Sequence, residues 1–121
     1  MQKTHTCGEL RSSDEGSTVT LAGWVNRRRD HGGVTFVDLR DRTGLVQAVM
    51  SPERDADVHA KAAVLRNEYV IRVEGEVVAR PKETENPNLP TGMIEVNVNH
   101  LEIYAEAEPP PFLLDEDVGE N

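Results

Sequence analysis

TVTLAGWVNRRRDHGGVTFVDLRDRTGLVQAVM, residues 18–50, holds three alternating stretches separated by two turn signals. In the first, Val19, Leu21, Gly23 and Val25 share one face while Thr20, Ala22, Trp24 and Asn26 share the other, the period of a strand with one wet side. Gly23 inside such a strand predicts the bend or bulge that a small barrel needs. VTFVDLRD (34–41) alternates again, with Thr35, Val37 and Leu39 in one phase and Val34, Phe36, Asp38 and Arg40 in the other. Asp-Arg-Thr-Gly makes a turn, and LVQAVM (45–50) is a third strand. The triplet Arg27, Arg28 and Arg29 then follows the first strand and falls on the rim beside it.

Beyond Ser51-Pro52 the period changes. Val58, Ala62 and Leu65 recur at i, i+4 and i+7 among polar residues, which predicts a short amphipathic helix over 53–66 opened by the proline. YVIRVEGEVVAR (69–80) is a long strand interrupted by Gly75, PKETENPNLPTG (81–92) is a loop, and MIEVNVNHLEIY (93–104) is the last strand. Ile94, Val96 and Val98 lie on one side of it and Glu95, Asn97 and Asn99 on the other. Residues 1–17 are a lead-in, and the proline-rich, acidic 106–121 is an extended linker after a domain of 1–105. Three strands, a helix and two more strands is the order of a five-stranded Greek-key OB barrel, all-β with one short helix between the third and fourth strands.

At 121 residues the chain is one domain with one modest core. The net charge of −9 is unevenly spread, because six acids and no base follow Ala105 and the remainder carries 16 acids against 13 bases. A nearly neutral body argues against a non-specific nucleic-acid coat, yet leaves local phosphate contacts open. The single cysteine, Cys7, excludes an internal disulfide and fits a reducing, cytoplasmic setting, and no apolar run approaches the ~20 residues that span a bilayer.

Catalytic signals are missing from the sequence. His5, His31, His59 and His100 have no metal-ligand spacing, there is no phosphate-cradling glycine loop or nucleophile elbow, and Asp38 and Asp41 read as partners of Arg40 and Arg42. Binding signals are better. Phe36 lies in the polar phase of its strand, where an exposed ring is a stacking platform for an unpaired base or, blandly, packs under a loop. Arg27, Arg28 and Arg29 can hold phosphates or fork onto base edges. Glu95 points outward, and it is either a solvated strand glutamate or an acceptor of two hydrogen bonds from the Watson–Crick edge of a guanine.

LAGWVNRRRDHGGVTFVDLRDRTGLVQAV, LRNEYVIRVEGEVVAR and NPNLPTGMIEV together resemble the N-terminal anticodon-binding domain of bacterial-type aspartyl-tRNA synthetases, a likeness running from about Thr4 to Asp117. The resemblance implies a non-catalytic tRNA-binding module of an aspartate-tRNA ligase that reads a GUC-type anticodon loop. It implies Arg29, Phe36 and Gln47 on the central uracil, Glu95 on the first-position guanine, and Arg80 with Thr84 or Asn86 near the third-position cytosine. Val78 and Met93 depart from the commoner arginine and glutamate. His31, after Asp30, resembles the type that accepts asparagine tRNA as well as aspartate tRNA. No cofactor is expected in this stretch, since ATP and Mg2+ serve the family's catalytic domain. Full-length members are homodimers, whereas a domain of this size is compatible with a monomer. A domain cut from a longer ligase is the expectation, against a free-standing binder of single strands or a protein-interaction barrel.

Overall fold

The computed structural model describes residues 3–106, and the expected linker therefore lies, apart from Glu106, outside the described residues. Five strands are present among them: β1 (Thr18–His31), β2 (Val34–Asp41), β3 (Gly44–Met50), β4 (Val70–Ala79) and β5 (Ile94–Ala105). They close into a barrel in the order β1-β2-β3-β5-β4. Neighbours are antiparallel except β3 and β5, whose short parallel seam sets Ala48 beside Val96 and Val49 beside Asn97. The expected barrel, strand number and helix position hold.

Inward phases follow the alternation. Val19, Leu21, Val25, Val37, Leu39, Val46, Ala48, Val77, Ile94, Val96 and Val98 fill the interior. Burying each valine, leucine or isoleucine side chain contributes about 1.5–3 kcal/mol against leaving it in water, which makes the register expensive to slip by one residue.

The arginine triplet does not follow β1; it lies within it. Gly32 (φ 59°) and Gly33 (φ 81°) both take positive φ, so a two-residue hairpin turn of the kind that matches strand twist joins β1 directly to β2. Counting back from that turn, His31 pairs with Val34, Asp30 with Thr35, Arg29 with Phe36, and Arg27 with Asp38. A register shift between Val25 and Arg27 marks the bulge, three residues past Gly23. Gly23 serves differently: a Cβ there would collide with the carbonyl of Arg40, so the glycine lets β1 press against β2 where the strand passes from β4 to β2. Gly75 does not interrupt β4; it sits at a register shift against β5, over the carbonyl of Asn97.

The helix is shorter than its periodicity suggests, α1 running only over Ala56–Ala62. Asp55, rather than Pro52, opens it, its carboxylate accepting from the Val58 amide at 3.0 Å. Val58, Ala62 and Leu65 are nonetheless all buried, Leu65 from the turn beyond the helix. The lead-in also contributes to the core: Cys7 and Leu10 are fully buried, and the Cys7 and Gly8 amides donate to Asp41 Oδ2 (2.9 Å) and Thr43 Oγ1 (2.8 Å). Burial, reinforced by Asp41, pushes the Cys7 thiol well above its ordinary pKa, which leaves it inert. No helix among the described residues is long and apolar enough to cross a membrane.

Candidate nucleic-acid interface

The outer faces of β1, β2, β3 and β5 meet in one continuous surface. Cross-strand partners share a face, so the hairpin register puts Arg29 beside Phe36 and Phe36 beside Val49, and sets Arg27 beside Asp38 and Asp38 beside Gln47. The parallel seam then carries the surface onto β5, with Asn97 next to Val49 and Glu95 two residues before it in the same phase. Phe36 is half-buried and stands outside the hydrophobic core, with a cation on one side and an aliphatic side chain on the other.

A hydrogen-bonded chain crosses this surface. Arg29 forks onto Asp38, Nη1 to Oδ2 at 3.0 Å and Nη2 to Oδ1 at 3.4 Å, and Nη2 also donates to Gln47 Oε1 at 2.9 Å. Gln47 in turn donates from Nε2 to Glu95 Oε1 at 2.9 Å. The amide of Gln47 is thereby polarised from both ends, its oxygen toward a cation and its nitrogen toward an anion. Asp38 pairs with Arg29 rather than with Arg40, the partner expected from adjacency in sequence. Asp41 binds the Cys7 and Thr43 amides and the Thr43 hydroxyl, a structural duty at the β2–β3 turn.

Glu95 is not the solvated glutamate of a plain strand. It is 9% exposed, and desolvation raises its pKa above the ordinary carboxylate value, opposed by the hydrogen bond from Gln47 and by the nearby charge of Arg80. Arg80 is equally buried; desolvation lowers its pKa, against the pull of Glu95 and Asp38. Two arginines and two carboxylates thus gather around Gln47. The cluster is neutral, so what it offers a ligand is directed donors and acceptors in a partly dry setting, where each is electrostatically stronger than in water.

Arg80 also fastens the 81–92 loop, donating from Nε to the Ile94 carbonyl (3.1 Å) and from Nη1 to that of Thr84 (3.0 Å). The loop is self-bonded: the Asn86 amide donates to the Gly92 carbonyl, the Asn86 side chain accepts from the Asn88 amide, and the Thr84 hydroxyl donates to the Pro81 carbonyl. A Cβ at Gly92 would collide with the Asn86 carbonyl, so a glycine is needed there. Val78 lies opposite Glu95 on β4, and Met93 is exposed with its carbonyl accepting from the Arg80 amide.

The ten residues singled out from the sequence separate accordingly. Arg29, Phe36, Gln47, Arg80 and Glu95 come together, with Thr84 and Asn86 in the loop that Arg80 holds. Arg27 is exposed on the same face and makes no hydrogen bond or ion pair among the described residues; His31 is exposed at the hairpin tip. Arg28 is the exception. It faces the other way, donating from Nη1 to the carbonyls of Ala63 (3.0 Å) and Leu65 (2.9 Å) and from Nη2 to Asp30, so it ties β1 to the end of α1. Asp38 is the residue that sequence reasoning misassigned. Its signal was the Gly-Gly turn, because the two-residue hairpin register already places Asp38 across from Arg27 and diagonal to Arg29.

The family model described as an OB-fold nucleic acid binding domain of the tRNA anticodon type matches residues 19–104. An aspartate–tRNA(Asp/Asn) ligase of Magnetococcus marinus is 59% identical over 121 residues, covering 100% of this chain and 20% of that protein. The chain thus spans about a fifth of the length of such relatives. Among solved structures, asparaginyl-tRNA synthetase from Pyrococcus horikoshii superposes with a TM-score of 0.73 at 32% identity, over 93% of this chain and 26% of that one. The OBody AM2EP06, solved bound to hen egg-white lysozyme, superposes with a TM-score of 0.77 at 28% identity, over 88% of this chain and 97% of that one. The chain belongs to the tRNA anticodon family of OB-fold nucleic acid binding domains.

Proposed function

We propose that this chain reads the anticodon loop of an aspartate tRNA on behalf of a ligase of which it is a part. Phe36 offers its face to an unpaired base, a contact worth roughly 1–3 kcal/mol whatever the base. Glu95 accepts two hydrogen bonds from the Watson–Crick edge of a first-position guanine, which has two donors there where adenine and the pyrimidines do not. Arg29 and Gln47 serve the central uracil, whose carbonyl oxygens and N–H suit a guanidinium and an amide. Arg80, with the loop around Thr84 and Asn86, borders the third position, and Arg27 holds phosphate without carrying sequence information. The observation that carries this reading is a nearly buried carboxylate on the outer face of the barrel, joined through Gln47 to an arginine beside an aromatic ring. A structural glutamate has no need of that arrangement.

Aminoacylation, with its ATP and Mg2+, and the dimer contacts belong in this reading to the parts of the ligase that this chain does not span, and the whole works in the cytoplasm. The names of the similar ligases, which carry both tRNAs, favour a relaxed third position, in keeping with His31 at the hairpin tip. The test is a salt titration of binding to three stem-loops, each differing from the GUC loop at one anticodon base. Discrimination at the first and central positions with a shallow salt dependence supports base reading. Equal affinity for all, or for poly-uridine, supports a general single-strand binder, and no binding at low salt leaves a protein-interaction barrel. A preference above tenfold for the aspartate loop over the asparagine loop, about 1.4 kcal/mol, refutes relaxed reading.

A further inference from the structure

We infer that Asp38 is a positioning residue for base selection: it holds the Arg29 guanidinium on the β2 side of the groove and so keeps Glu95 open to a guanine. This deepens the anticodon-reading proposal and rests on it.

Arg29 and Glu95 are opposite charges on the two sides of one glutamine, linked through its amide by two hydrogen bonds of 2.9 Å. Their attraction is enhanced by the partial burial of the groove, Glu95 being 9% exposed. A long, flexible arginine left to itself would swing past Gln47 and pair with Glu95 directly. Such a pair would use up the carboxylate that the base needs. The competing anion is Asp38. It is 19% exposed, stands on the strand beside Arg29, and takes the guanidinium with both oxygens, the planar two-pronged geometry that fixes direction as well as distance. With the arginine held there, only its Nη2 reaches Gln47 Oε1. The amide oxygen is thereby committed to Arg29, the amide nitrogen must face Glu95, and the nitrogen takes only Oε1. Among the described residues the Asp38 carboxylate makes no hydrogen bond to Gln47 or Glu95, and its own hydrogen bonds run to Arg29.

Simple electrostatics shifts affinity, whereas positioning shifts selectivity. Removing an anion from an RNA-facing surface, by itself, tightens binding to every RNA and steepens its salt dependence. If Asp38 positions Arg29, Asp38→Asn instead lowers selectivity while raising or preserving overall affinity. Binding is measured for the intact chain and its Asp38→Asn, Asp38→Glu and Glu53→Gln variants, with stem-loops carrying guanine or adenine at the first anticodon position. The expected result is at least a fivefold fall in the guanine-to-adenine ratio for Asp38→Asn, partial recovery for Asp38→Glu, and an unchanged ratio for Glu53→Gln, which removes the same charge from an exposed site outside the strands, between β3 and α1. A ratio unaltered in Asp38→Asn overturns the inference. A wild-type chain that never prefers guanine refutes the anticodon reading instead, and the positioning role is then judged without RNA. The side-chain amide 15N–1H resonances of Gln47 should lie away from those of exposed side-chain amides such as Asn26 and Asn67 and collapse toward them in Asp38→Asn. Resonances that do not move overturn it. Thermal melts of each variant verify that the barrel is intact, which an outer-face residue outside the hydrophobic core permits.

Discussion

Replacing Glu95 by glutamine should separate recognition from stability in opposite directions. The neutral amide keeps an oxygen to accept from Gln47 Nε2, so the contact at 2.9 Å survives. It loses the second acceptor, and the new NH2 faces the guanine's own donors. Direct readout by a paired hydrogen bond is worth about 1–3 kcal/mol of discrimination, so the guanine preference should fall roughly 5- to 150-fold. Stability should not fall with it. Burial is the largest influence on Glu95 and raises its folded-state pKa above the unfolded value, so the protonated form is the better tolerated one. A raised carboxylate contributes stability that is complete below the unfolded pKa and is lost as pH climbs through the folded value. At neutral pH the wild type has therefore lost that contribution, and the glutamine variant, with no charge to desolvate, should melt no lower. The same titration makes recognition pH-dependent: guanine preference should weaken on acidification at a pH above the usual carboxylate range, and the variant should be flat there. Fluorescence anisotropy on first-position guanine and adenine stem-loops, read at several pH values beside thermal melts, checks each part. A variant that keeps its guanine preference, or a wild type and variant with identical pH profiles, refutes the role of Glu95.

Phe36→Ala should weaken binding by about 1–3 kcal/mol for every base presented to the ring, with the salt slope unaltered, as measured by parallel titrations of substituted loops. Arg27→Ala should lower the slope of log K against log salt by about one and leave base discrimination intact, because its guanidinium sits exposed with phosphate its expected partner. Arg28→Ala should behave as a stability variant: it strips the donor from the carbonyls of Ala63 and Leu65, costs on the order of 1–3 kcal/mol in a denaturant melt, and leaves the salt slope of the folded fraction unchanged.

Much of the barrel is local. Alternation in 18–25, 34–41 and 94–98 decided which side chains point inward, because a strand's faces have period two wherever they lie in space, and Phe36 and Glu95 fell outside the core accordingly. The Gly-Gly step carried the hairpin register in two residues, and with it the pairing of Arg29 with Phe36. Motif likeness then supplied the candidates for base reading. Other features had no local signature. The bulge after Val25 comes from β1 serving two neighbours, and it decides that Arg28 turns to α1 while Arg27 and Arg29 face the groove. The seam of β3 with β5 joins residues about fifty apart in the chain and brings Gln47 to Glu95. Asp38 bonding to Arg29 rather than to its sequence neighbour, and the burial that shifts Glu95 and Arg80, likewise depend on strands brought side by side. Sequence alone thus determined the barrel and its inward and outward faces, since these follow from short-range periodicity and chain order, and its motifs named candidates for the site. Only the closed tertiary structure decided which charges meet and how dry they are, because hydrogen bonding and desolvation depend on distances between strands that the chain visits at separate times.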